Sequence, residues 1–185
     1  MGPRHRARLV VNLANGSTIL GVAVALAGGA RLARGPAGLL TATGYRPPVP
    51  VAPAFTLGNV IIVNRRRDLP LPPPVFAHEA RHATQFAWCG GLLLLPLYFA
   101  AVGASWALCG DIGSWNVFER RAGLADGGYA DRPLRPALAR VLSPARTARL
   151  LRSRTGQRSP EAGPGSAVPA PEPAGPAGST SSPSQ

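Results

Sequence analysis

Lysine is missing from this chain: its 20 basic residues are all arginine. Acidic residues are scarce, with Asp and Glu together numbering 8, and histidine is scarcer still at 3. There are only 2 cysteines, Cys89 and Cys109, one on each side of an apolar run. Two cysteines exclude a disulfide-stapled scaffold, and neither lies at zinc-finger spacing from another Cys or His, so both read as small apolar fillers. Arginine without lysine, beside 22 glycines and 21 prolines, reads as base-composition bias in the coding DNA. The formal charge of +12 is therefore weak grounds for a nucleic-acid partner. Such binding needs a basic face with aromatic or helical context, which the sequence lacks, and no nucleic-acid partner is expected. The arginines instead flank apolar segments, as in proteins held against anionic lipid headgroups.

The 185 residues suit one domain with appendages. Residues 1–8 are basic and 9–30 mostly apolar, the pattern of a signal anchor or of a membrane-embedded helix. Residues 31–54 are Gly- and Pro-rich. The stretch "AFTLGNVIIVN" (54–64) is rich in β-branched residues and bounded by Pro53 and Arg65–Arg67, a strand signal. The prolines of "DLPLPPPV" forbid a helix before about residue 73 and favour one starting there. From Leu92 to Leu108 the chain is apolar and free of charge, about long enough with its flanking glycines to cross a bilayer, with Pro96 as a possible kink. Trp106 and Trp115 stand where interfacial anchors would. Residues 134–154 read as a basic amphipathic segment for a membrane surface, and 155–185 as a low-complexity, disordered tail. The expected fold is mainly α with a small β element, in four parts: 1–30, a core over 31–133 that includes the apolar helix 91–109, then 134–154 and 155–185. The cell membrane is the expected location and the lipid bilayer an expected partner.

Two of the three histidines share the stretch "FAHEARHATQ" (76–85), with a glutamate between them. On a helix, His78 and His82 lie one turn apart on one face and can aim both imidazoles at one point. Glu79 then stands beside such a point, able to take a proton from metal-bound water. This is the His-Glu-x-x-His arrangement of zinc metalloproteases. Gln85 shares the histidine face. A hydrolytic Zn2+ needs a third protein ligand and an open position. His5 lies in the basic N-terminus and is a poor candidate, which leaves Asp68, Asp111, Glu119, Asp126 and Asp131. Glu119, in the helical stretch "WNVFERRAGLAD", is the preferred choice, provided the apolar run lets the chain return to the motif. Asp126, seven residues on, shares its face and could orient a ligand histidine.

With these residues in view, "HEARH" followed by Asn116-x-x-Glu119 resembles the gluzincin metallopeptidases. The wider arrangement is similar to small actinobacterial membrane proteins, over about residues 10–130. The resemblance implies a minimal zincin-like core of strand, motif helix and ligand helix joined to membrane-embedded helices. It implies Zn2+ held by His78, His82 and Glu119, Glu79 as general base, and a peptide or protein substrate. It makes Asn116 a supporting residue, although Asn and Glu stand three apart here, unlike the family's Asn-Glu pair. It also implies that the strand before the motif helix, at Gly58, Asn59 and Val60, pairs with substrate. Tyr98, Tyr129 or Arg81 could stabilise an oxyanion. Two alternatives stay open: a membrane protein with a structural, non-catalytic metal site, and one whose motif is accidental.

Overall fold

A computed structural model describes residues 1–66 and 70–141. Asp68, most of the basic segment expected over 134–154, and the tail at 155–185 lie outside the described residues. About half of the described chain is helical, around a small mixed sheet. In chain order the elements are α1 (Pro3–Ala14), α2 (Ser17–Ala27), β1 (Arg31–Arg34), β2 (Leu40–Tyr45), β3 (Ala54–Leu57), β4 (Val60–Asn64), α3 (Pro73–Trp88), α4 (Leu94–Cys109), α5 (Val117–Ala122) and α6 (Pro136–Val141).

The sheet runs β1-β2-β4-β3, with β2 and β4 parallel and the two outer strands antiparallel to their neighbours. Strand β4 is "VIIVN", apolar on both faces, and this fits a central position covered on both sides. Val60 and Ile62 pack with Ala25, Ala42 and Tyr45 on one face. Ile61 and Val63 pack with Leu39, Leu71 and Ala83 on the other, where Val75, Phe76 and Ala80 of α3 close the layer. The motif helix is thus seated on a small sheet by its own apolar face.

The single strand expected over 54–64 is a hairpin. Gly58 adopts φ +60° and turns the chain, and a Cβ there would stand 2.4 Å from the Thr18 backbone nitrogen. This corrects the assignment of Gly58, Asn59 and Val60 to substrate pairing. Gly58 and Asn59 form the turn, and Val60 begins the central strand, hydrogen-bonded on both sides and fully buried. Asn59 is instead a hub. Its Oδ1 accepts from Arg8 Nε (3.1 Å) and Asn12 Nδ2 (3.2 Å), and its Nδ2 donates to Thr18 Oγ1 at 3.0 Å. Asn12 also donates to the Ala83 carbonyl of α3, 2.8 Å away.

Residues 1–30, expected as a signal anchor or membrane-embedded helix, form two helices packed on the core, together apolar enough for one bent span. The chain breaks at Asn15–Gly16, where Gly16 is left-handed, and the two helices meet at 74°. Arg8, Asn12, Ser17 and Thr18 are buried against the hairpin, and at Gly21 a Cβ would stand 2.4 Å from the Leu57 carbonyl oxygen. Asn12 and Thr18, polar residues within this mostly apolar stretch, help fasten the two helices to the hairpin.

After α3 the chain turns at Gly90 and Gly91, both with positive φ. The stretch Gly91–Cys109 is long and apolar enough to cross a membrane. Pro96 falls in the first turn of α4, where its missing N–H leaves no gap, and no kink is needed. Most of α4 is exposed, Phe99 and Trp106 prominently; its inward stripe is Leu94, Tyr98 and Ser105.

Replacing Asn59 by Ala strands the Arg8 and Asn12 donors and the Thr18 hydroxyl. We expect a loss of about 3 kcal/mol, read as a lower midpoint of chemical unfolding of the full chain. An unchanged midpoint would show that the network does not fasten α1 and α2 to the hairpin.

Candidate metal centre

Pro73 and Pro74 open α3 without wasting an N–H, and the helix runs unbroken past both histidines. His78 Nε2 and His82 Nε2 lie 3.0 Å apart, the rings at 82° to each other. Both residues are buried.

The other nitrogen of each ring shows which tautomer a neutral ring takes. His78 Nδ1 lies 3.0 Å from the Gly123 carbonyl, which can only accept, so Nδ1 carries the hydrogen. His82 Nδ1 lies 2.9 Å from Gln85 Oε1. The Gln85 amide is fixed by its Nε2, which donates to the Phe118 carbonyl at 2.9 Å, so here too Nδ1 is the donor. In both neutral rings Nε2 therefore presents a lone pair to the other. Such outer partners orient metal-binding imidazoles in general.

Glu119 completes the group. At the end of α4, Gly110 is left-handed and Asp111 Oδ1 accepts from the backbone of Gly113 (2.9 Å) and Ser114 (2.8 Å). Trp115 N donates to Ser105 Oγ, which itself donates to the Asp111 carbonyl, so the reversed chain is fastened back onto α4. Asn116 caps α5 by accepting from Phe118 N at 2.9 Å. Glu119 Oε2 then stands 3.1 Å from His78 Nε2 and 3.5 Å from His82 Nε2. Its other oxygen, Oε1, accepts from the Tyr98 hydroxyl of α4. The residue is only 1% exposed, yet Oε2 makes no properly directed hydrogen bond.

Two lone pairs and a carboxylate oxygen thus face one another, an arrangement stabilised by a cation at its centre. A triangle with these three sides has a circumradius of about 1.9 Å, just inside the 2.0–2.2 Å of metal bonds to imidazole and carboxylate. An ion slightly off the plane reaches all three atoms at bonding distance, as in a tetrahedral site with one corner free. His78, His82 and Glu119 form a buried group that can hold a metal ion. The electrostatics show that the group attracts positive charge, a proton on His78 included. Burial presses His78 toward neutrality, but Glu119, Glu79 and the Gly123 carbonyl outweigh it and raise its pKa. Burial likewise opposes the charge on Glu119, but close contacts with His78, His82 and Tyr98 hold its carboxyl down to about 2.

Glu79 is buried beside this group. Its Oε2 accepts from Thr56 Oγ1 of β3 at 2.7 Å. Burial raises its pKa, while His82, Thr56 and His78 pull the other way.

Other residues singled out in the sequence lie elsewhere. Asp126 pairs with Arg81 at 2.7 Å rather than with a ligand histidine; it sits past the left-handed Gly123, so the helical spacing from Glu119 does not apply. Arg81 also donates to the Ala122 carbonyl, and so ties α3 to α5 outside the ligand cluster. Asp111 shapes the turn, and Asp131 pairs with Arg120 at 2.9 Å. Tyr129 does face the group, its ring centroid 6.3 Å from that of His78; burial and the Glu119 charge push its hydroxyl up to about 12. Thr56 and the Gly123 carbonyl escaped sequence reading, since a strand threonine and a helix-ending glycine carry no distinguishing mark. Gly127 is also required small: a Cβ there would lie 2.5 Å from the His78 ring.

Comparison with protein-family models, curated proteins and solved structures returns no match.

The full chain should bind divalent metal at one ion per chain, and His78→Ala or Glu119→Ala should abolish this. Gln85→Leu should keep the fold and weaken binding by roughly tenfold or more. Metal analysis after dialysis, with a competing chelator for affinity, measures both. Equal metal content in the wild type and in Glu119→Ala would remove position 119 from the site.

Proposed function

We propose that the chain is a membrane-bound zinc metallopeptidase in which His78, His82 and Glu119 hold Zn2+ and Glu79 is the general base. The observation that carries this reading is the meeting of two Nε2 lone pairs and the Glu119 carboxylate with a second buried carboxyl, Glu79, beside them. Two imidazoles and one carboxylate suit Zn2+ and leave an open coordination position. The bound ion supplies a Lewis acid and lowers the pKa of its water toward ~7. The resemblance of "HEARH" and the downstream Glu119 to gluzincins supports the same reading.

Each residue then has a defined task. Gly123 and Gln85 hold the two imidazoles in the ligating tautomer. Tyr98 occupies Glu119 Oε1 and leaves Oε2 as the ligand atom. Thr56 occupies Glu79 Oε2, so that proton transfer falls to Oε1. Glu79 takes the proton of the attacking water and returns it to the leaving amine. Tyr129 lies close enough to His78 to donate toward a substrate oxygen. Peptide pairing falls to β3, the one of the two outer strands that carries Thr56. Membrane attachment falls to α4, whose exposed face is apolar and carries Trp106.

A non-catalytic metal site is the second reading, favoured by the depth at which all three ligands are buried. Glu79→Gln separates the two. Under the peptidase reading the variant keeps its zinc and loses peptide cleavage by at least about a thousandfold, measured on a broad peptide library. Zinc binding with no cleavage by the wild type would leave the structural reading standing. Thr56→Val tests positioning: kcat should fall about tenfold with KM little changed, and an unaltered kcat would detach Thr56 from Glu79.

A further inference from the structure

A groove of about 870 Å³ runs between α1 and the face of α3 turned away from the metal group. Arg4, His5 and Arg8 line one side of it, and Val11, Ala80 and Trp88 supply apolar lining. Arg8 is the unusual member. It is only 7% exposed, and its guanidinium donates to Asn59 Oδ1 (3.1 Å) and to the Ala37 carbonyl at 2.7 Å. Both partners are neutral. Among the described residues no carboxylate lies within ion-pair distance of Arg8 or of Arg4. Helix α1 contains no acidic residue at all. Arg81, on the α3 side, is already paired with Asp126. A buried cation without a counter-ion is costly, and folded proteins normally pair it. Here the fold takes up Nε and one Nη of the guanidinium, Arg8 lines a groove open to solvent, and Arg4, with no carboxylate partner among the described residues, lines it one turn away on α1.

The lining indicates what kind of anion belongs there. An inorganic ion would use only the arginine end. The apolar part continues outward: Trp88 is 85% exposed and ends α3 just before the exposed Leu92 and Leu93 that lead into α4. On α1, Val11 lines the groove and is itself exposed. The surface therefore grades from unpaired cation to apolar rim, as the headgroup and first methylenes of an anionic lipid do. We propose that the groove between α1 and α3 binds an anionic phospholipid, with Arg8 and Arg4 on the phosphate and Val11, Ala80 and Trp88 on the adjoining chain. Arginine suits the forked geometry of a phosphate. The assignment does not depend on the metal chemistry, since the groove uses a different face of α3.

Native mass spectrometry of the full chain from a neutral detergent, offered dioleoyl phosphatidic acid, dioleoyl phosphatidylcholine or inorganic phosphate, tests it. One retained phosphatidic acid per chain is expected, with the zwitterionic lipid and free phosphate each held about tenfold more weakly. Arg4→Gln, an exposed change that leaves the core intact, should weaken the acidic lipid about tenfold. Arg121→Gln, which removes the same charge from α5, should leave it unaltered. Arg8→Gln should act at least as strongly as Arg4→Gln, with its unfolding midpoint measured alongside. Equal retention by Arg4→Gln and wild type, an equal loss in Arg121→Gln, or free phosphate held as tightly as the lipid would each overturn the proposal.

Discussion

Mutual repulsion at the centre of the fold organises everything around it. Three atoms rich in electron density, two imidazole nitrogens and a carboxylate oxygen, are held 3.0 to 3.5 Å apart inside a protein that excludes water from them. Nothing local to any one element produces this. The helix α3 brings two of the atoms together by its own period, but the third arrives from α5, 37 residues beyond His82 in the chain. The rings cannot escape by rotating, because Gly123 and Gln85 hold their far nitrogens, and Glu119 cannot swing away from Tyr98 without stranding a buried oxygen. Positive charge is the component that turns this arrangement from costly to favourable.

The constraint runs outward through the fold. For α5 to present Glu119, the chain must reverse within a few residues of the end of α4, and Asp111, Ser105 and Asn116 perform that reversal with hydrogen bonds rather than bulk. For α3 to stay fixed, its apolar face needs the two-sided strand β4, which in turn needs α2 on its far face. Asn59 and Asn12 then join α1, α2, the hairpin and α3 into one polar network. Small sheets bury too little area to hold a helix firmly by hydrophobic contact alone. Directed hydrogen bonds between buried side chains add the specificity that area cannot.

Local features were readable in the sequence, and those set by tertiary contact were not. The proline-opened start of α3, the i and i+4 histidines, the β-rich stretch at 54–64 and the apolar run all follow from short-range rules. Residue 119 is one of five candidate carboxylates that remain once His5 is set aside, and its place in a helical stretch marks it out. The hairpin was missed because "LGNV" looks like a strand interruption as readily as a turn; what decides it is Gly58 pressed against the Thr18 backbone, a contact 40 residues away in sequence. Asp126 was misplaced for the opposite reason. Helical spacing was extended from Glu119 through Gly123, which ends the helix at φ +92°. The N-terminal segment reads as an anchor or membrane-embedded helix from its hydropathy, and α1 and α2 together are apolar enough for a bent span; hydropathy does not show that Asn12, Ser17 and Thr18 each have a partner within the protein.

Among the described residues, the one helix that is by itself long and apolar enough to cross a membrane also contributes to the metal group. Tyr98 and Ser105, seven residues apart, lie on one stripe of α4; the first bonds Glu119 and the second anchors the turn that delivers it. The rest of the helix surface is apolar and exposed. Tyr98 sits about 6 Å along the axis from Leu94 and about 16 Å from Cys109, by the helical rise, so the metal group lies beside the body of α4, nearer its start. A surface that removes Phe99 and Trp106 from water would hold α4 in place, and with it the hydroxyl that confines Glu119. Conversely, a pull on α4 would reach the ligand atoms through one side chain. The coupling is short and made of two contacts, which is why the apolar helix belongs to the site and cannot be treated as a tether added to it.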